Sequence, residues 1–189
     1  MVVNEVARVY AGALLESAKE KNILDQVAEE LKSVVDLMNE DRDFRLYINV
    51  PGIPKDAKKE FIGKVFAKHF SEITINFIKI LINNDRQGLI EEILESFGEL
   101  LDEEKNRLRV KVISSAKLDD SLRKKVESSL NEKFRKDIII EEKIDESILG
   151  GIIIRIGDLI IDGSLIKDLK NIKSRLLQSK VRSEVAYED

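Results

Sequence analysis

Residues 148–164 read ILGGIIIRIGDLIIDGS. Four glycines, two aspartates and one arginine interrupt a run that is otherwise rich in isoleucine and leucine. Such a stretch is either a glycine loop that cradles phosphate or a place where a small sheet turns a corner, and spacing separates the two. A phosphate loop needs glycines with the right separation followed by Lys and Ser/Thr, and no such run is present. A dinucleotide fingerprint puts its glycines between a strand and a helix. Here Gly157-Asp158 joins two strand-like runs, IIIRI and LIID. A two-residue Gly-Asp link is a tight hairpin signal, because Gly tolerates the positive φ that the turn requires. Gly150-Gly151 precedes the hairpin, where a missing Cβ lets another backbone approach. Asp162-Gly163-Ser164 follows, with Ser164 placed to cap a terminal helix. Turn and cap chemistry accounts for Asp158 and Asp162 without an acid–base pair.

Working outward, RLRVKVISSA alternates: Leu108, Val110 and Val112 on one side, Arg107, Arg109 and Lys111 on the other. That is a strand with one wet face. KLDDSLRKKVESSLNEKF has helical spacing, with Leu118, Leu122, Val126, Leu130 and Phe134 inward, and DIIIEEKI is strand again. Strand, helix, strand predicts a parallel pair joined by a right-handed crossover. Beyond the hairpin, Leu165, Leu169, Ile172 and Leu176 are expected as the inner stripe of the terminal helix, and residues 179–189 form a polar tail.

Residues 1–105 have helical periodicity throughout. Ile23, Val27, Leu31, Val34, Val35 and Met38 share one face. After FRLYINV, Pro51-Gly52 ends a short helix and Pro54 opens another, with Phe61, Val65, Phe66 and Phe70 on one side and His69 within it. Ile90, Ile93, Leu94, Phe97, Leu100 and Leu101 form a further stripe. Two helices are apolar over too wide an arc. At about 100° per residue, Val2, Val3, Val6, Tyr10, Leu14 and their neighbours cover about 240° of the first helix. Ile73, Ile75, Phe77, Ile78, Ile80, Leu81 and Ile82 cover about 220° of another. A surface helix needs about 100° or a little more. Either both helices are packed on all sides, or they adjoin and leave an apolar groove for a helix from another chain.

The fold class is therefore mainly α: an N-terminal six-helix bundle over 1–105, then a small α/β domain over 106–178 with a β-hairpin and a terminal helix, then the tail 179–189. Charge shifts at the same join. Residues 1–105 carry 14 basic and 21 acidic side chains, net −7, and residues 106–189 carry 18 and 15, net +3, which sum to the chain's −4. Cys is absent, which removes disulfides and thiolate metal sites, and the single His69 cannot build a zinc site of the usual kind. Trp is absent and aromatics are 5%, so base-stacking platforms are poorly supplied and no nucleic-acid partner is expected. No apolar run is long enough to span a bilayer, and Glu5 stands where a signal peptide needs positive charge. A soluble chain is expected, reaching a membrane only indirectly through partners.

In this order of parts the chain resembles the delta subunit of bacterial F-type ATP synthases, whose mitochondrial relative is the oligomycin-sensitivity-conferring protein. ARVYAGALLESA is similar to the family's opening helix, and FIKILINNDRQGLIEEI to its fifth-to-sixth helix junction, with Asn84 and Arg86 in the turn. VISSAKL resembles the start of its second domain. ILGGIIIRIGDLIIDGSLIKDLKNI is similar to its most diagnostic segment, with Gly150, Gly151, Gly157, Asp162 and Ser164 as a structural motif at matching spacing. Two positions depart from the pattern: Val9 stands where Arg is common before the tyrosine, and Ile166 where a basic residue is common after the serine.

The resemblance implies a non-catalytic stator subunit with no catalytic, metal or cofactor site, peripheral on the cytoplasmic face of a bacterial cell membrane. It implies that the bundle takes an N-terminal segment of the alpha subunit between its first and fifth helices, and that the second domain meets the C-terminal region of the b subunit. Those are the two helices with excess apolar arc, so the resemblance favours the groove. Val6, Tyr10 and Leu14 with Ile75, Ile78 and Ile82 are its candidate lining. The alternative function is a free-standing helical adaptor between proteins.

Overall fold

The computed structural model describes residues 5–173. Val2, Val3, Leu176 and the tail 179–189 lie outside the described residues. The chain divides into two compact units, Met1–Lys105 and Asn106–Asp189.

The first unit contains α1 (Glu5–Glu20), α2 (Leu24–Glu40), α3 (Arg42–Asn49), α4 (Lys55–Phe66), α5 (Glu72–Asn83) and α6 (Ile90–Glu104). Side-chain caps set several of the boundaries. Asp41 ends α2 and starts α3, accepting from the Asp43 and Phe44 backbone N–H groups at 2.9 and 3.0 Å. Pro54 stands immediately before α4, where a missing N–H costs nothing. Ser71 starts α5, its Oγ accepting from Thr74 N–H at 3.3 Å. α6 lies against α1 and α2, and α5 lies against α4, α1 and α2. The core is filled by Ala7, Ala11, Leu14, Leu15 and Ala18 of α1, the α2 stripe, and Ile90, Ile93, Phe97 and Leu101 of α6. Of the expected α4 stripe, Phe66 is buried and Phe61 and Phe70 pack half-buried against the core, but Val65 is exposed and Ile62 is buried instead; α4 ends at Phe66, where a turn follows. His69 falls in that turn rather than in a helix.

Two buried charges are invisible to periodicity. The Lys58 ammonium donates to the Ile48 and Val50 carbonyls, both at 2.8 Å, and so satisfies the C-terminal carbonyls of α3. The Glu30 carboxylate accepts from the Ser71 backbone N–H at 2.8 Å, from Ser71 Oγ at 2.7 Å and from Gln26 Nε2 at 2.8 Å.

The second unit contains β1 (Arg107–Ser114), α7 (Asp120–Phe134), β2 (Asp137–Ile144), β3 (Gly151–Ile156), β4 (Leu159–Ser164) and a helix over 165–173. The sheet order is β2-β1-β3-β4, with β1 and β2 parallel and β1–β3 and β3–β4 antiparallel. The α7 crossover covers one face of the sheet through Val126 and Leu130, which pack with Leu118 on Val110, Val112 and Ile138; Leu122 stays exposed. Gly157-Asp158 turns the β3–β4 hairpin, with Gly157 at φ 54°. A Cβ on Gly151, at φ 78°, would stand 2.1 Å from the Gly163 carbonyl oxygen, so the two strands meet there only because the side chain is absent. Ser164 caps the following helix, its Oγ accepting from Lys167 N–H at 3.3 Å. The stripe expected to face inward on that helix does not: Leu165, Leu169 and Ile172 are all exposed. The segment leaves the sheet at its edge strand, so helical spacing alone supplies it with no surface to cover.

Candidate functional site

α1 and α5 run side by side and each carries two apolar stripes. On α5, Ile75, Ile78 and Ile82 point into the core together with Leu81. At about 100° per residue, Ile73, Phe77 and Ile80 lie on the opposite side of the helix, with Asn76 at their margin. On α1, Tyr10, Ala13, Leu14 and Ser17 recur at i, i+3, i+4 and i+7. Residues of these two stripes line one open groove of about 360 Å³, formed by Tyr10, Ala13, Leu14 and Ser17 with Ile73, Asn76, Phe77 and Ile80; of these, Leu14 and Phe77 also belong to the buried core.

The groove is held in shape from both ends. The Tyr10 ring stands edge-on to Phe77, with centroids 6.3 Å apart at 72°, and its hydroxyl accepts from Asn84 Nδ2 at 3.2 Å. One residue thus ties α1 to the middle of α5 and to the residue that caps its C-terminal end. At the other end, Glu30 of α2 holds Ser71, the cap of α5. Burial pushes the Glu30 carboxyl up, but hydrogen bonds from Thr74, Ser71 and Gln26 together outweigh it and hold the group below its ordinary value. Ser17 Oγ donates to the Ala13 carbonyl at 3.0 Å, so its hydroxyl hydrogen is used within its own helix.

The six residues expected from the sequence to line the groove fall in two places. Tyr10 and Leu14 line the groove, and Val6 is a half-exposed residue one turn before Tyr10 on the same side. Ile75, Ile78 and Ile82 do not line it; they are buried in the bundle core. The residues missed are Ala13, Ser17, Ile73, Asn76, Phe77 and Ile80. Their signal in the sequence is a second i, i+3, i+4, i+7 series, which merges with the core stripe into one broad apolar arc.

Apart from the Tyr10 phenol, the residues lining the groove carry no titratable group, and none of them forms a nucleophile–base pair. Its chemistry is the removal of apolar side chains from water. Among the described residues, no group of His, Asp and Glu could hold a metal ion, and no helix is long and apolar enough to cross a membrane. The Ser164 backbone N–H and hydroxyl beside Asp162 hold its carboxyl below the usual range, as a cap requires.

The family model described as ATP synthase delta (OSCP) subunit matches residues 6–176. The chain belongs to that family. Among the relatives of this delta-family chain is the ATP synthase subunit delta of Clostridioides difficile strain 630, 34% identical over 176 residues that span 93% of this chain and 97% of the relative. Another is the ATP synthase subunit delta of Chlorobaculum parvum, 35% identical over 171 residues, 90% of this chain and 94% of the relative. A chain in the mitochondrial ATP synthase hexamer of Toxoplasma gondii shares the fold, with a TM-score of 0.64 at 21% identity, covering 90% of this chain and 97% of that one. The delta-family match covers both units, so the bundle and the sheet domain are parts of one family pattern.

Proposed function

We propose that this chain is the non-catalytic stator subunit of an F-type proton-translocating ATP synthase. It links the alpha/beta catalytic head to the b-subunit peripheral stalk and resists rotation during ATP synthesis. Its place is peripheral, on the cytoplasmic face of a bacterial cell membrane, held there by the complex. The observation that carries this reading beyond family membership is the open apolar groove between α1 and α5. Its occupant is an amphipathic helix from the N-terminal segment of the alpha subunit, and the second unit takes the C-terminal region of the b subunit.

Energetics favour two contacts rather than one. Four aliphatic anchors seated in the groove gain roughly 6–12 kcal/mol gross, at about 1.5–3 kcal/mol each. Association costs on the order of 4–15 kcal/mol. A single contact is marginal, and a second on the same chain is intramolecular once the first has formed.

The test is native mass spectrometry of the full chain mixed with purified alpha subunit and the soluble part of the b subunit. A ternary assembly is expected. Deleting the alpha N-terminal segment should remove alpha and leave b bound. Failure to bind either subunit would overturn the stator reading. Calorimetry with Mg-ATP should give no saturable heat; saturable binding lost in Gly157→Ala would revive a ligand role for the hairpin.

A further inference from the structure

The four-stranded sheet has two unlike faces. α7 covers the face formed by Val110, Val112, Ile138 and their neighbours. By strand alternation the other face carries Arg107, Arg109 and Lys111 along β1, followed by buried Ile113. Across the antiparallel ladder Lys111 lies directly opposite Arg155 of β3, and both side chains are exposed. Like charges directly opposite each other oppose strand pairing. The acids on this face form no ion pair with either cation. Glu141 is the register partner of Lys111 on β2, but its Oε1 lies 3.4 Å from Arg109 Nη1. The carboxyl of Asp162 on β4 accepts from Ser164 N–H at 2.9 Å. No ion pair to Lys111 or Arg155 occurs among the described residues.

A pair of opposed, unpartnered cations is relieved by a carboxylate placed between them. We propose that this sheet face binds an acidic peptide segment of a partner protein, laid along β1 with a carboxylate between Lys111 and Arg155. Exposed Ile160, the register partner of Arg155 on β4, gives the segment an apolar contact beside the charge. The face contains no aromatic side chain on which bases could stack, which argues against single-stranded nucleic acid. The proposal is independent of what fills the α1–α5 groove.

The experiment uses the full chain and fluorescein-labelled hexaglutamate, read by fluorescence anisotropy at low salt and at high salt. Arg155→Thr and Lys111→Thr replace each cation with a good strand former. Each variant should bind hexaglutamate at least fivefold more weakly, and binding by the native chain should fall as salt screens the charges. Each should also raise the melting temperature, by about 1 °C or more, because the opposed pair is gone. Circular dichroism confirms that both variants fold. Unchanged hexaglutamate affinity in both variants would overturn the proposal, as would equal binding of hexaglutamine. A fall in melting temperature in both would remove its energetic basis. Binding to phosphatidylglycerol vesicles without binding to hexaglutamate would replace the peptide with a lipid surface.

Discussion

Ile80→Asp and Ile78→Asp place the same charge two residues apart on α5 and should have opposite consequences. Ile80 is 50% exposed on the groove side. Removing it costs the free bundle about half of a buried aliphatic side chain, about 1 kcal/mol, and the new carboxylate stays in water. A domain stable by about 5–15 kcal/mol survives that loss. Ile78 is 3% exposed, in the core. Truncation there costs about 2–5 kcal/mol, and burying a carboxylate adds several more, which consumes most or all of the same stability. So Ile80→Asp should keep its helical circular dichroism and melt within a few degrees of the native chain. Its affinity for a synthetic peptide of an alpha-subunit N-terminal segment should drop at least tenfold, about 1.4 kcal/mol, because the carboxylate must be dried when the groove fills. Ile78→Asp should lose its bundle melting transition. Anisotropy with the labelled peptide and far-ultraviolet melts read both effects. A folded Ile80→Asp that binds the peptide with native affinity would refute the groove. A folded Ile78→Asp would refute the assignment of α5's two stripes.

Glu30→Gln should cost about 1–3 kcal/mol at neutral pH by weakening the hold on the α5 cap. The folded Glu30 pKa is lowered, so its contribution is present above the ordinary value of 4.5 and lost as pH falls through the folded one; the variant should lack that part of the acid limb in a pH-melting series. Gly151→Ala should destabilise the second unit by about 2 kcal/mol or more in urea titration, since both the positive φ and the close Gly163 carbonyl reject a side chain. Gly157→Ala has a positive φ but open space, and should cost only about 1 kcal/mol. Trypsin should cut first at Lys105, between α6 and β1, or at Arg107, the first residue of β1, and release a fragment that keeps a helical spectrum; an uncut or unfolded product would contradict autonomous units.

Local chemistry determined much of this protein. Pro54 and Ser164 mark helix starts because a fixed φ and a side-chain cap act within a few residues. Gly157-Asp158 specifies a hairpin because its short link admits few backbone paths. The change from helical to alternating period near Lys105 specifies where a bundle gives way to a sheet. Periodicity also showed that α1 and α5 have more apolar surface than a surface helix needs.

Tertiary structure decided which part of that surface remained open. Ile75, Ile78 and Ile82 are as apolar as Ile73, Phe77 and Ile80, so no property of the helix alone ranks one stripe above the other. Only the positions of α1, α2 and α4 bury the first stripe, and Phe77 with it, and leave Ile73 and Ile80 at the groove. The same limit explains Val65 exposed beside buried Ile62, and Leu165, Leu169 and Ile172 left uncovered. Glu30 and Lys58 show it most sharply. Their sequences read as wet helix faces, but Ser71 lies 41 residues from Glu30 and the Ile48 carbonyl lies 10 from Lys58. Periodicity assigns a side chain to a face; the fold alone brings the groups that make burial of a charge tolerable.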